Sequence, residues 1–314
     1  MLPYIGRRLL ATIPVMAVVA VVVFLLLRLT TGDPAAIIAG DNATSQDVAA
    51  IRARLGLDRP IVLQFGIWLA SILRGDLGES FFFKKTVAEL IAQRLEPTLA
   101  LAVCTLVLAV TLAVPLGVLA AWRRGTWIDR VVMGFSVLGF SVPVFVVGYL
   151  LIYLVAIQLA WLPVQGYQRL ADGFGGFIVR LILPSITLAV IYVALIARIT
   201  RASVLEVLNA DHVRTARAKG LRERVVVVKH TFRNALIPIV TVAGVQLGQL
   251  MAGAIVLESV FALPGLGRLA LGAISARDLP VVQGVTLFVA SSIVVINFAV
   301  DVAYGFLDPR IRYE

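Results

Sequence analysis

The chain has 314 residues, of which 60% are hydrophobic and 15% are charged, and its formal net charge is +10. Soluble domains are about 45–50% apolar and about 25% charged, so a soluble fold could not bury this much apolar surface. The single cysteine, Cys104, excludes an internal disulfide and a cysteine-rich metal site. The composition therefore points to a membrane protein.

Six segments are apolar enough to cross a bilayer, which requires about 20 apolar residues per helix. In chain order they are residues 9–27, 98–122, 131–159, 181–197, 234–257 and 279–300. The first has too long an uncharged core for a signal peptide and no A-x-A-like site before Arg28, so we expect a retained helix. Pro143 predicts a kink in the third segment, and the fourth, with Pro184, is the shortest. The sequence therefore predicts an all-α polytopic protein with six transmembrane helices.

The charges predict which side each loop occupies. Residues 198–233 contain nine basic and three acidic residues, whereas residues 30–97 contain seven basic and eight acidic ones. Lys and Arg near span ends favour the cytoplasmic side, and long segments of mixed charge tolerate translocation. We therefore expect residues 30–97 outside, residues 198–233 inside and both termini in the cytoplasm.

The segment after the first helix has helical periodicity. Apolar residues recur at positions 48, 51 and 55 and again at 62, 65, 69 and 73, with Gly56, Pro60 and Gly75 as breaks. Amphipathic helices outside a bilayer pack on the bundle or lie in the interface. We expect an extracytoplasmic helical cap, because the segment is too short to enclose a ligand alone.

The basic loop between the fourth and fifth spans contains the sequence HVRTARAKGLRER, residues 212–224. Asp211 can cap a short helix over residues 212–219, and Gly220 can end it in a left-handed conformation. Such a helix could bind anionic lipid, nucleic acid or a groove in a partner protein. It has few apolar residues for a lipid surface and no interleaved aromatic residues for nucleic acid. The small residues and defined ends modestly favour a protein groove.

The segments DHVRTARAKGL and KHTFRNALIPIVT closely resemble the coupling loop of bacterial ABC importer permeases of the dipeptide, oligopeptide and nickel transport group. In that register Arg214, Thr215 and Ala216 occupy the Glu-Ala-Ala positions of the wider superfamily, and Gly220 is its characteristic glycine. Six further fragments resemble the same group in the same order, so the resemblance covers nearly the whole chain. They are RLTTGDPA (28–35), LGLDRPI (56–62), GDLGES (75–80), ESVFALPGLGRL (258–269), DLPVVQ (278–283) and LDPRIRY (307–313).

This resemblance implies a type I ABC importer permease fold in the bacterial inner membrane. Residues 1–93 would form the first helix and the extracytoplasmic segment, residues 94–306 the transmembrane core with a coupling loop at about 202–233, and residues 307–314 a cytoplasmic tail. The implied partners are a second homologous permease, two cytoplasmic ATPases and an extracytoplasmic solute-binding protein. The sequence has no G-x-x-x-x-G-K-[ST] motif. We therefore expect no cofactor in this chain and no ATPase site, with ATP and Mg²⁺ bound by the partner ATPases.

The resemblance also assigns site residues. Those expected to couple to the ATPases are His212, Val213, Arg214, Thr215, Ala216, Arg217, Ala218, Lys219 and Gly220, with the Ala216 side chain placed against the ATPase. Asp33, Asp76 and Glu258 are candidates for docking the binding protein, and Glu258 has the alternative role of fixing the FALPGLG turn beside it. No metal site or catalytic residue is expected, and the two histidines, His212 and His230, are interpreted as loop residues.

The expected function is import of di- or oligopeptides through half of a translocation pathway. Glutathione, opines or nickel chelates are the alternatives within the same architecture. An ion-coupled secondary transporter is the alternative of a different class, and Asp301 is its one weak candidate for ion coupling. Asp301 lies one helical turn from Asn297, which favours a bond across helices instead. A membrane-embedded enzyme lacks any Ser-His-Asp set or H-E-x-x-H helix.

Overall fold

The computed structural model describes residues 2–29, 35–36, 44–54, 56–253 and 255–307. These residues are almost entirely helical, and the one extended pairing among them is an isolated bridge between Glu79 and Thr86. Within the described ranges, five helices are long and apolar enough to cross a membrane, or six if one bent pair counts as a span. The predicted all-α polytopic architecture is confirmed.

The elements follow the predicted spans but extend beyond them. In chain order they are α1 (Leu2–Leu29), α2 (Ser45–Arg54), α3 (Ile61–Leu73), α4 (Val87–Trp122), α5 (Trp127–Ser141), α6 (Val144–Leu151), α7 (Phe174–Leu208), α8 (Asp211–Ala218), α9 (Glu223–Val225), α10 (Phe232–Gly253), α11 (Ile255–Val260), α12 (Leu266–Ser275) and α13 (Leu279–Leu307). Helix α6 continues as a π-helical stretch over Ile152–Gln158, and a second one over Val226–Thr231 joins α9 to α10. The fourth predicted span, the shortest in the sequence, lies inside the 35-residue helix α7.

The third predicted span is broken at the proline. Helices α5 and α6 meet at an angle of 101°, with Val142 and Pro143 extended between them. A kink within one continuous helix was therefore the wrong prediction. Proline has no backbone N–H and disfavours a helical conformation in the residue before it, and here both effects end α5 and start α6.

Helices α4 and α7 form the centre of the bundle. Their contact is lined by small side chains, which allow two backbones to approach closely inside a membrane. At Gly117 a Cβ atom would lie 2.6 Å from the Ala197 carbonyl oxygen and 2.6 Å from the Thr200 Cβ. A larger residue at 117 would therefore force the two helices apart.

Contacts at the helix ends show that successive passes alternate in direction. At one end, buried Ala121 of α4 packs with Val204 of α7 and Ala235 of α10. At the other, Val87 of α4 packs with α12 and α13. We call the first the coupling end (residues 121–130 and 198–235) and the second the opposite end (residues 76–91, 165–174 and 258–282).

The first and last described helices, α1 and α13, also meet on one side. Arg8 of α1 pairs with Asp301 of α13, with 3.2 Å between Nη1 and Oδ2. The Tyr304 hydroxyl donates to Thr241 Oγ1 of α10 over 2.6 Å. Counting the α5–α6 pair as one pass, six passes place residues near both termini at the coupling end. Asp301 thus bonds across helices, as its sequence position predicted.

After the first helix, the described part of the segment predicted to be extracytoplasmic forms two helices, α2 and α3. Helix α3 contacts α1 through aromatic rings, with the Phe24 centroid 5.3 Å from that of Phe65 and 5.5 Å from that of Trp68. These contacts confirm that this helix packs on the bundle. The outer face of α3 remains exposed and apolar.

Candidate coupling site

The short basic helix predicted from the sequence is present as α8. It begins at Asp211 after the extended residue Ala210, and no side chain caps it, so the predicted Asp211 cap is wrong. Gly220 has φ of +74°, which confirms the predicted left-handed end. The Gly220 N–H donates to the Arg217 carbonyl and the Leu221 N–H to the Ala216 carbonyl, over 2.9 and 3.4 Å. This pair of bonds is the Schellman arrangement, which fixes the direction in which the chain leaves the helix.

The α8 helix buries one face against its own chain. Val213 is 0% exposed and Ala216 is 6% exposed, and both pack on Val226 in the segment that leads into α10. The prediction that Ala216 lies against a partner ATPase is therefore wrong, because its side chain faces inward. The outward face carries the exposed residues Arg214, Thr215 and Ala218.

Two polar contacts attach the same helix to the base of the fifth span. Arg217 donates to both carboxylate oxygens of Glu223, with N–O distances of 2.7 and 3.1 Å. Asn234 Nδ2 lies 3.1 Å from His212 Nε2. Together with the Val213–Val226 packing, these contacts hold α8, α9 and the start of α10 as one unit. The sequence offered a signal for the first of them, opposite charges on either side of Gly220, which our sequence reasoning did not use.

A partly buried ion pair stabilises the neighbouring turn. Asp129 at the start of α5 accepts from Arg201 of α7, with 2.8 Å between Oδ2 and Nη2, and from the Gly125 N–H over 2.9 Å. A bidentate guanidinium–carboxylate pair fixes orientation as well as distance. It ties the 123–130 turn to the end of α7 that leads directly into α8. Sequence reasoning missed this pair, since 72 residues separate its members.

At the opposite end, Glu258 organises a buried turn. Its side chain is 1% exposed and accepts from the Thr98 hydroxyl over 2.8 Å and from the Arg268 N–H over 3.0 Å. Thr98 in turn accepts from the Leu266 N–H over 2.8 Å. Burial raises the pKa of the Glu258 carboxyl, while these donors oppose the rise.

This burial corrects the docking prediction for Glu258. A side chain without exposed surface cannot contact an arriving binding protein, so Glu258 fixes the turn at the start of α12. Glycines leave room for it: a Cβ at Gly265 would lie 2.1 Å from its Oε1. Its carboxylate also occupies the N-terminus of α12, where backbone N–H groups point and negative charge is favoured.

The other two docking candidates have different outcomes. Asp76 is exposed, and its Oδ1 accepts from the Gly78 N–H over 2.8 Å, so its surface is free for contact and its docking role stays a prediction. Asp33 lies outside the described residues. Nearby, buried Asp278 accepts from the Ser80 hydroxyl and the Phe81 N–H and thereby holds the GDLGES segment against α13.

The predicted coupling residues thus lie in one short helix and the turn that ends it, with Val213 and Ala216 facing inward and the others exposed. The docking candidates Asp76 and Glu258 lie at the other end of the bundle. What the coupling end can do is mechanical: it presents a short rigid helix that is fastened to a membrane span. Among the described residues, no three His, Cys, Asp or Glu side chains gather as metal ligands.

Comparison with known proteins matches nearly the full length. The family model of the binding-protein-dependent transport system inner membrane component matches residues 113–313, and its N-terminal counterpart matches residues 1–102. The chain is 51% identical over 310 residues to a probable peptide ABC transporter permease of Sinorhizobium fredii, with 99% of both chains covered. It is 45% identical over 308 residues to a putative peptide transport system permease of Brucella abortus, with 98% of both covered. It is also 44% identical over 314 residues, 100% of both, to the glutathione transport system permease GsiC of Salmonella choleraesuis. The resemblance to the peptide transport group is confirmed, and the chain belongs to the binding-protein-dependent transport system inner membrane components, the multi-pass permease subunits of ABC importers.

Proposed function

We propose that this chain forms half of a peptide translocation pathway and receives ATP-driven motion through α8. The observation that carries the proposal is the double attachment of α8 to the fifth span, by Arg217–Glu223 and His212–Asn234, with a polar face left exposed. A helix of eight residues is marginal alone. Once its apolar face is buried against Val226, it moves with the segment to which it is attached.

The proposed sequence of events starts at partner ATPases, which bind ATP and Mg²⁺. Their closure displaces α8 by pushing on the face that carries Arg214, Thr215 and Ala218. The Schellman end at Gly220 and the Arg217–Glu223 pair transfer that displacement to α9 and α10, because the chain cannot bend freely there. The chain itself contributes no catalytic step. Its role is to transmit motion from the ATPases and to form half of the translocation pathway.

Peptides are the proposed substrate class. The names of the relatives from Sinorhizobium fredii and Brucella abortus specify peptide transport, and that of the relative from Salmonella choleraesuis specifies glutathione, itself a short peptide. Opines and nickel chelates are less well supported. We propose the following assembly: this chain, a second homologous permease, two ATPases and an extracytoplasmic binding protein.

The proposed orientation places the coupling end in the cytoplasm. Support comes from the excess of basic residues in the 198–233 loop and from the alternation of the six passes, which brings Arg8 and Tyr304 to that same end. Asp76 would then face the binding protein on the other side of the membrane.

The test uses the complete transporter reconstituted in proteoliposomes with its ATPases and binding protein. Ala218→Trp places a large side chain on the exposed face of α8, and we expect loss of ATPase co-purification and of peptide uptake. Ala171→Trp is the matched control, since Ala171 is an exposed alanine at the opposite end. Normal assembly and uptake by Ala218→Trp would contradict the docking face. Uptake by this chain alone, driven by a proton gradient, would contradict the importer proposal and favour a secondary carrier.

A further inference from the structure

The break between α5 and α6 opens beside a cavity of about 370 Å³. Val144, the first residue of α6, forms one wall, and the middle of α7, the end of α10 and α11 form the others. The lining includes Val144, Leu188, Tyr192, Gln249, Ile255 and Val256. Small-molecule sites have volumes of about 300–1,000 Å³ and mostly apolar walls with a few polar groups, and this cavity has both properties.

The backbone at the break lacks a helical partner at membrane depth. Non-helical backbone inside a bilayer is tolerated only where protein covers it or where it lines a water-filled space. Val142 is 37% exposed, so this chain does not cover the break itself. In the assembled transporter, the break must therefore be covered by a partner subunit or face water or solute.

Two polar side chains line the cavity without a hydrogen-bond partner. Within the described part of the chain, neither the Tyr192 hydroxyl nor the Gln249 amide bonds to another residue, although both lie on membrane-spanning helices. Gln249 is exposed and Tyr192 is partly buried on this chain, so both polar groups are open to water, a ligand or a partner subunit, any of which would satisfy them at membrane depth. Among the described residues, no charged side chain lines the cavity.

We propose that this cavity is a contact site for the peptide during its passage. The Tyr192 hydroxyl and the Gln249 amide bond to backbone carbonyl and N–H groups of the peptide, and the aliphatic walls accept its apolar side chains. The site therefore suits short peptides with uncharged side chains and disfavours highly charged solutes such as metal chelates. This inference rests on the proposed function and specifies its substrate.

The test compares two cavity-filling variants in the reconstituted transporter, with a radiolabelled leucyl dipeptide as probe. Val256→Trp fills the proposed site, and Val103→Trp fills a second cavity of about 390 Å³ between α4, α10 and α13. The two valines are matched in exposure, at 52% and 51%, so folding effects are comparable. We expect Val256→Trp to lower uptake at least tenfold while ATPase activity persists, and Val103→Trp to change uptake less than twofold.

Polar variants test the chemistry. Tyr192→Phe and Gln249→Leu each remove one hydrogen bond, which corresponds to about a two- to tenfold decrease in uptake. Gln249→Glu should slow a glutamyl dipeptide more than the leucyl one, because it adds a negative charge to an uncharged wall.

Different outcomes would contradict the peptide contact site and the importer function. Uptake by Val256→Trp at the wild-type rate, or equal losses in both tryptophan variants, would overturn the contact site and leave the importer function intact. Failure of the wild-type complex to take up any peptide, with its binding protein present, would overturn the proposed function and this inference with it.

Discussion

Removal of the Glu258 carboxylate should destabilise the opposite end of the bundle by several kcal/mol. In Glu258→Ala the Thr98 hydroxyl and the Arg268 N–H lose their acceptor in a site with 1% exposure. A buried donor left unsatisfied costs about 1–3 kcal/mol, so the two together cost about 2–6 kcal/mol. Because Thr98 also accepts from Leu266, the first turn of α12 loses its support as well.

The same carboxyl makes stability depend on pH. Burial raises its pKa in the folded protein, so the folded state binds the proton more tightly than the unfolded chain does. Stability therefore falls as pH rises from the unfolded pKa through the folded one, and the cost of the charged form is fully present above it. Glu258→Gln cannot titrate, so the wild type should gain stability relative to this variant on acidification.

The assay is thermal unfolding in detergent, followed by labelling of Cys104 with a thiol-reactive fluorophore. Cys104 is the single cysteine of the chain and is partly buried in α4, so its reactivity reports opening of the bundle. Glu258→Ala should lower the melting temperature by at least about 5 °C. Ser259→Ala is the control, because the Ser259 hydroxyl bonds only within its own helix, to Ile255. Equal melting temperatures for the wild type and Glu258→Ala would refute the reasoning.

Three further predictions concern the coupling end and topology. Gly220→Val should lower the free energy of unfolding by about 1–2 kcal/mol, because φ at this position is +74°. It should also lower substrate-stimulated ATPase activity in an assembled complex, whereas Gly220→Asn should retain that activity. Equal activity of Gly220→Val and the wild type would show that the left-handed turn is dispensable. Asp129→Asn should destabilise the bundle by about 1–3 kcal/mol, measured by the same thermal assay, because it weakens the ion pair with Arg201; an unchanged melting temperature would contradict that role. A cysteine introduced at Thr44 should react with an impermeant thiol reagent in intact spheroplasts, and one introduced at Arg222 should not, because the basic loop is expected in the cytoplasm. The reverse labelling pattern would show that the chain has the opposite orientation in the membrane.

The spans could be predicted from the sequence because bilayer thickness imposes a length and a composition on every crossing helix. The left-handed end at Gly220 could be predicted for a similar local reason, since a glycine after a short helix is the usual residue at that position. Both signals are contained in a few consecutive residues. Neither requires knowledge of what packs against them.

The errors occurred where distant contacts decide the outcome. Pro143 is compatible with a kink or a break, and the packing of α6 against α7 and α11 selects the break. Ala216 was placed outward on the strength of the resemblance, whereas its actual orientation is set by packing on Val226 of the following segment. Glu258 was left with two roles because its partner Thr98 lies 160 residues earlier.

The attachment of α8 also constrains how far its motion can reach. Gln249 follows Glu223 by 26 positions, about 39 Å along a helix at 1.5 Å per residue. A rigid tilt of this length by about 5° would move Gln249 by about 3 Å. The π-helical stretch at Val226–Thr231 and Pro238 interrupt this rod, and such interruptions are where helices bend. If the rod pivots at Pro238, only about 16 Å separates the pivot from Gln249, and the same tilt moves it by about 1.5 Å. The position of the pivot therefore sets how strongly the coupling end and the proposed peptide contact are linked, and Pro238 lies where it reduces that displacement by more than half.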